Sequence, residues 1–392
     1  MTYDVIVVGL GAMGSAAAFH AARRGRRVLG VDARAPGHRF GSSHGYTRII
    51  RKAYFEHPAY VPLLHRAYEL WAELSRETGE ALYRRTGGLW LGPADAPVVR
   101  GALASARAHG VAHEVLTASE VRRRFPMFSP GADMAALWDP EAGVLFPERS
   151  IAAHLAGAAR AGAELRYHEP VVAWQTGAGR AAVETVHGRY EAGAVVVTSG
   201  AWAPALLRSL ALPIEATRQV VGWFAAASAD QAPLLRADRC PVWICEVGGT
   251  NIYGIPDVND GHGSKAAIHE RGHGCTPETC RREVDKPEVE RLTALLRRIL
   301  PAAAGPLLEI ETCLYTMTPD WHFIIDRPGG YETLVYATGF SGHGFKFAAV
   351  VGEILADLAL DGRTSQPIAF LSPARFAGVS PATGGATPPA GA

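Results

Sequence analysis

The amino-terminal stretch as far as Asp32 constrains this chain more than any other. Asp4-Val-Ile-Val-Val8 has the unbroken apolar character of a buried strand, and Gly9-Leu-Gly11-Ala-Met-Gly14 follows it at once. A small apolar helix is expected over residues 15–24, stopped at Gly25, and then a strand over 27–31 that ends in Asp32. Each glycine has a mechanical reason. Gly9 makes the tight turn, Gly11 lets a pyrophosphate approach the backbone, and Gly14 lets helix and strand pack closely. Asp32 stands where a carboxylate accepts hydrogen bonds from a ribose 2′-hydroxyl. The unit is a dinucleotide site in an α/β chain. Its acid argues against a 2′-phosphate, so the ligand is FAD or NAD rather than NADP.

A second organised stretch lies near the other end, from Cys313 to Phe347. Phe323-Ile324-Ile325 and Leu334-Val335-Tyr336-Ala337 read as strands turned by Pro328-Gly329-Gly330. The second strand empties into Gly339, Ser341, Gly342, His343 and Gly344, and a helix is expected to begin near Phe347. Bare amides backed by a helix N-terminus suit a large anionic or electron-rich ligand. Lys346 adds a full charge there, and Cys313 is a possible covalent handle. The same residues also fit a plain glycine-rich turn with a surface cysteine. A third segment, Phe40 to Arg51, sets Arg48 and Arg51 around the apolar pair Ile49-Ile50, so partial burial is expected. Buried arginines need anionic partners.

At 392 residues the chain is long for one core, and two domains are expected. Its formal net charge of +1 offers no basic field for nucleic acid. The apolar start belongs to a strand interrupted by glycines, so no secretory leader is expected, and no apolar run reaches bilayer length. Five cysteines, all after residue 239, make no disulfide framework. A soluble cytoplasmic protein with no membrane contact is expected.

Between the two organised ends, residues 60–80 read as an amphipathic helix with Leu64, Ala67, Tyr68, Trp71 and Leu74 inward. Thr117-Ala-Ser-Glu120 is a capping box, and residues 150–161 are an alanine-rich helix. The triple valine before Thr198-Ser199-Gly200 reads as a parallel strand delivering Gly200 to a ligand. Strands over 218–224, 242–247 and 251–255 begin a second sheet, covered by a helix over 287–300. His262, His269, His273, Cys275 and Cys280 crowd one polar segment, but their spacing matches no compact zinc module, and no metal is expected. Lys265, in the same segment, reads on its own as a loop cation.

Three motifs together carry a resemblance. They are Ser42-x-His44-Gly45-x-Thr47-Arg48-Ile49-Ile50-Arg51, then Cys313-x-Tyr315-Thr316-x-Thr318-Pro319-Asp320-x-x-Phe323-Ile324-Ile325-Asp326, and then the run from Gly339 to Phe347. The chain resembles the monomeric sarcosine oxidase and N-methyltryptophan oxidase family from Tyr3 to about Phe376. The resemblance implies a Rossmann-type FAD-binding domain, residues 1–80, 144–212 and 313–376, interleaved with a mixed β-sheet substrate domain, residues 81–143 and 213–312. The Gly, Ala, Pro, Ser and Thr of 377–392 are expected to be a disordered tail.

It also implies roles. Cys313 would carry the flavin 8α carbon as a thioether, with Gly9, Gly11, Gly14, Asp32, Gly200, Gly342 and Gly344 around the FAD. Arg51 and Lys346 would hold a substrate carboxylate, with Tyr253, His269 and Tyr315 around the same cavity. His44 and Arg48 would lie against the flavin ring, and Lys265 would favour oxygen reduction, although the polar residues 257–264 before it depart from the family pattern. The implied activity is oxidation of a secondary amino acid, N-methyl or cyclic, by a monomer. The imine formed would be hydrolysed to an amine and an aldehyde, and O2 reduced to H2O2. Two other readings stay open: a dehydrogenase of the same fold with another electron acceptor, and a non-catalytic FAD-binding protein.

Overall fold

The computed structural model describes residues 2–177 and 179–377; the expected tail, from 378 onward, lies outside the described residues. Thr2–Val8 is the pivot of an eight-stranded sheet. It pairs in parallel with Val28–Val31 on one side and with Arg189–Val197 on the other. The long strand Arg189–Val197 divides its edge. Its first half pairs antiparallel with Arg180–Thr185, and its last residues pair in parallel with Leu334–Thr338. Ile324–Asp326 closes that side as the expected hairpin partner of Leu334–Thr338.

The helix that follows Gly9 runs Ala12–Ala22, starting three residues earlier than expected, so that Gly14 lies inside its first turn. A Cβ on Gly14 would collide with the Gly9 carbonyl, and one on Gly352 would collide with Ala16. Small residues thus let Ala12–Ala22 lie against both its own strand and the helix Ala348–Asp361. That later helix is preceded by a 3-10 turn at Phe345–Phe347.

A nine-stranded sheet forms the other large layer, built on Glu215–Phe224. One edge of that strand pairs with Ser264–His269 and His273–Gly274, the other with the eleven-residue Leu307–Met317. Leu307–Met317 is continuous through residue 313, the position at which a domain boundary was expected. A third sheet joins Arg48–Ile50, Gly143–Leu145 and Tyr83–Arg85. The amphipathic helix is Val61–Thr78, ended by Gly79 in the left-handed region (φ 71°). The capping box at Thr117 opens Ala118–Arg124 with both reciprocal bonds present. Lys286–Ile299 packs Leu292, Leu296 and Ile299 onto the nine-stranded sheet. No helix among the described residues is long and apolar enough to cross a membrane.

Candidate active site

A cavity of about 780 Å³ runs between the two large sheets. All the residues to which the resemblance assigns a role line it except Gly14, whose place is the helix–strand contact described above.

At the dinucleotide end, Gly9 has φ +87°, and a Cβ there would lie 2.7 Å from the Thr198 carbonyl. Around the Cβ position of Gly11 the nearest protein atom is Ser43 Oγ at 3.6 Å, so this glycine leaves open space rather than filling a contact. Asp32 accepts the Leu10 amide at 2.7 Å and the Arg34 amide at 2.8 Å, which fixes its carboxylate on the cavity wall. Gly200, at φ +54°, is on the same cavity wall. Ser199 Oγ, also on the wall, is buried without a hydrogen-bond partner. Open glycines, an aimed carboxylate and an orphaned hydroxyl fit a dinucleotide.

In the middle, Cys313 faces the cavity from Leu307–Met317. Arg48 and Lys265 stand near enough to favour its thiolate, yet burial outweighs them and pushes the thiol up from its ordinary value. Lys265 is not a loop cation. It sits in the strand Ser264–His269, almost wholly buried, and donates to the Gly45 and Thr47 carbonyls, each at 2.9 Å. Burial drives its amine well below the usual lysine value, and Arg48 adds to the effect. Arg48 donates to the Ser42, His44 and Thr47 carbonyls and meets no carboxylate among the described residues. His44 Nδ1 lies 3.1 Å from Glu311, and its Nε2 is buried and unpartnered.

At the far end, Arg51 is 2% exposed and stacked over Tyr54 and Phe55 at 4.1 and 4.4 Å. The anionic partner that its burial demands is Glu56, at 2.5 Å. Burial alone would raise the Glu56 carboxyl, but Arg51, helped by His343 and Lys346, holds it at about 2. Lys346 donates to the His343 carbonyl at 2.5 Å, and burial lowers its amine to about 7, with Arg51 adding to the effect. Tyr315 occupies the space that a side chain at Gly342 would need. His269 lies 3.5 Å from the Tyr315 hydroxyl and is lowered to about 4 by burial, so it is neutral. Tyr253 stands at the edge of the His269 ring. The five histidines and cysteines between 262 and 280 do not converge: no group of three or more metal-ligating side chains forms among the described residues.

Glu56 and Glu311, both on the wall, escaped the sequence reading. A signal for Glu56 was present, because a buried Arg51 requires a nearby acid and Glu56 lies five residues on. Glu311 shares a strand face with Cys313 at a spacing of two.

The family model described as FAD dependent oxidoreductase (DAO) matches residues 4–358. The chain is 46% identical to a monomeric sarcosine oxidase of Streptomyces avermitilis over 379 residues, covering 96% of this chain and 98% of the relative. It is 34% identical over 379 residues to an N-methyl-L-tryptophan oxidase of Yersinia pestis, covering 96% of this chain and all of the relative, 100%. Among solved structures it superposes on the open form of NikD, an amino acid oxidase of nikkomycin biosynthesis, with a TM-score of 0.83 at 27% identity, covering 95% and 97% of the two chains.

Proposed function

The chain belongs to the DAO family of FAD-dependent oxidoreductases, and from that premise we propose that it oxidises a secondary amino acid, N-methyl or cyclic, to an imine. Water hydrolyses the imine to an amine and an aldehyde, and O2 is reduced to H2O2. Bound FAD supplies the two-electron chemistry. The observation that carries the reading is the pair Arg51 and Lys346, two buried cations at one end of a cavity whose other end is built for a dinucleotide.

Arg51 and Lys346 hold the substrate carboxylate. Burial lowers the Lys346 amine to about 7, and a carboxylate beside it favours the ammonium form, since an opposite charge stabilises it. Arg51 shares itself between Glu56 and the incoming acid. Tyr315, His269 and Tyr253 wall the space where the amine lies, its nitrogen neutral, and the neutral imidazole of His269 adds no charge beside it. Burial of these walls excludes water and fixes the reacting carbon, where a small misplacement is costly. Arg48 and His44, on the cavity wall, would lie beside bound flavin, and Arg48 would supply positive charge there. Lys265 stands where negative charge developing on oxygen would favour the protonated form of its amine. Cys313 is the residue that would hold the flavin covalently.

The relative from Streptomyces avermitilis is named as monomeric, and we take this chain to be a monomer of the cytoplasm. All five cysteines are free, as a reducing compartment keeps them. A panel of N-methyl and cyclic amino acids, their parent primary amino acids, and N-methyl amines lacking the acid tests the reading, with peroxide as readout. Turnover confined to the secondary amino acids is expected. Equal turnover of an amine and its amino-acid analogue removes Arg51 and Lys346 from the role, and flavin bleaching without peroxide under air points to a dehydrogenase.

A further inference from the structure

We propose that Glu311 is a positioning residue that locks His44 as the neutral Nδ1–H tautomer, leaving Nε2 as a bare hydrogen-bond acceptor toward the flavin. The argument starts from the strand. Leu307–Met317 turns alternate side chains to one face, so Glu309, Glu311, Cys313 and Tyr315 stand in a row, the last three on the cavity wall. Glu311 therefore lies one step along the same face from the thiol.

Its carboxylate, raised by burial but held ionised by its pairing with Arg39, is 3.1 Å from His44 Nδ1 and so only accepts. The hydrogen must then be on Nδ1. A doubly protonated ring is disfavoured as well, because burial, together with Arg48, Lys265, Arg39 and Arg282, holds the imidazole down to about 3. The backbone beneath the ring is pinned too, since Arg48 donates to the His44 carbonyl at 2.6 Å. Glu311 is itself oriented by Arg39, which bridges it to Glu309. The side-chain polar atom of His44 left without a partner is Nε2, buried and on the cavity wall. A buried acceptor of this kind is satisfied by a donor on the bound group. Only the effect on the flavin rests on the function proposed above; the tautomer can be read without it.

Histidine-selective ¹⁵N labelling of the purified holoenzyme and long-range ¹H–¹⁵N correlation spectra report each ring's tautomer, with His44→Asn identifying the signals. The wild type is expected to show a protonated Nδ1 and an unprotonated Nε2. Glu311→Leu removes the acceptor and is expected to give a mixed or reversed tautomer, a shifted visible flavin spectrum, and kcat at least about fivefold lower with KM within about twofold. Glu311→Gln keeps an acceptor oxygen at the same reach and is expected to restore the tautomer. A wild-type His44 that is doubly protonated or carries its hydrogen on Nε2 overturns the proposal, even if no variant folds. So does a Glu311→Leu enzyme with tautomer and flavin spectrum unchanged.

Discussion

Lys265 shows how far a single residue's surroundings redefine it. As a letter in a polar run it is a surface cation; as a side chain it is a buried amine tied to two carbonyls and facing the cavity. Replacement by methionine keeps length and bulk while removing the charge. If that charge serves oxygen, Lys265→Met leaves anaerobic flavin bleaching by substrate within about tenfold of wild type. Reoxidation by air then slows at least a hundredfold, about 3 kcal/mol of lost stabilisation. Stopped-flow measurement of both half-reactions separates them, and unchanged reoxidation returns Lys265 to a structural role. Cys313 makes a second residue-level prediction. Cys313→Ser protein, precipitated with acid, is expected to release its flavin to the supernatant while wild type keeps it in the pellet; flavin pelleted with both rules the thiol out. Because burial holds this thiol neutral, attachment is expected to quicken as pH rises toward the thiol's value.

At the scale of elements, what the sequence revealed and what it hid divide on physical lines. The opening strand, its glycines and Asp32 were legible because each answers to local geometry. So were the capping box at Thr117 and the left-handed stop at Gly79. Ser264–His269 was hidden, since its preceding turn, with Asn259, Gly261 and Gly263 all at positive φ, reads as loop and masks the strand's start. The first half of Leu307–Met317 went unread for a different reason: its inward row begins with glutamates, whose partners Arg39 and His44 come from 270 residues away. Long-range pairing leaves no local trace. Gly14 offers the test at this scale, because its missing side chain is what joins helix to strand. Gly14→Ala is expected to cost about 1–3 kcal/mol in urea unfolding, as an overpacked contact does. It is also expected to lower flavin content per chain, through displacement of the amides of the first turn. An unchanged flavin content shows that the turn tolerates the shift.

Across the whole molecule, histidines buried without charge set the response to acid. His154, packed between Phe19 and Trp71, is held by burial at about 3 against an ordinary value near 6.5. Between those values the unfolded chain binds the proton and the folded chain does not, so stability is complete above about pH 7 and lost as pH falls from 6.5. At pH 5 the loss from such a group is about 2 kcal/mol. Urea midpoints at pH 7.5 and pH 5 are expected to draw together in His154→Leu relative to wild type, and an equal gap in both assigns the acid sensitivity to other groups.

The divided edge of Arg189–Val197 has a consequence in time as well as space. Its neighbours arrive in the order Thr2–Val8, then itself, then Leu334–Thr338. During synthesis the opening strand gains its second parallel partner only after most of two hundred residues have followed it. The edge at Val195–Val197 then stays uncovered while a further stretch of chain is made, on the order of ten seconds at ribosomal speed. Until then an apolar strand edge is open to any other chain that offers a partner. The nascent polypeptide of this enzyme therefore exposes a bare strand edge before it can host flavin.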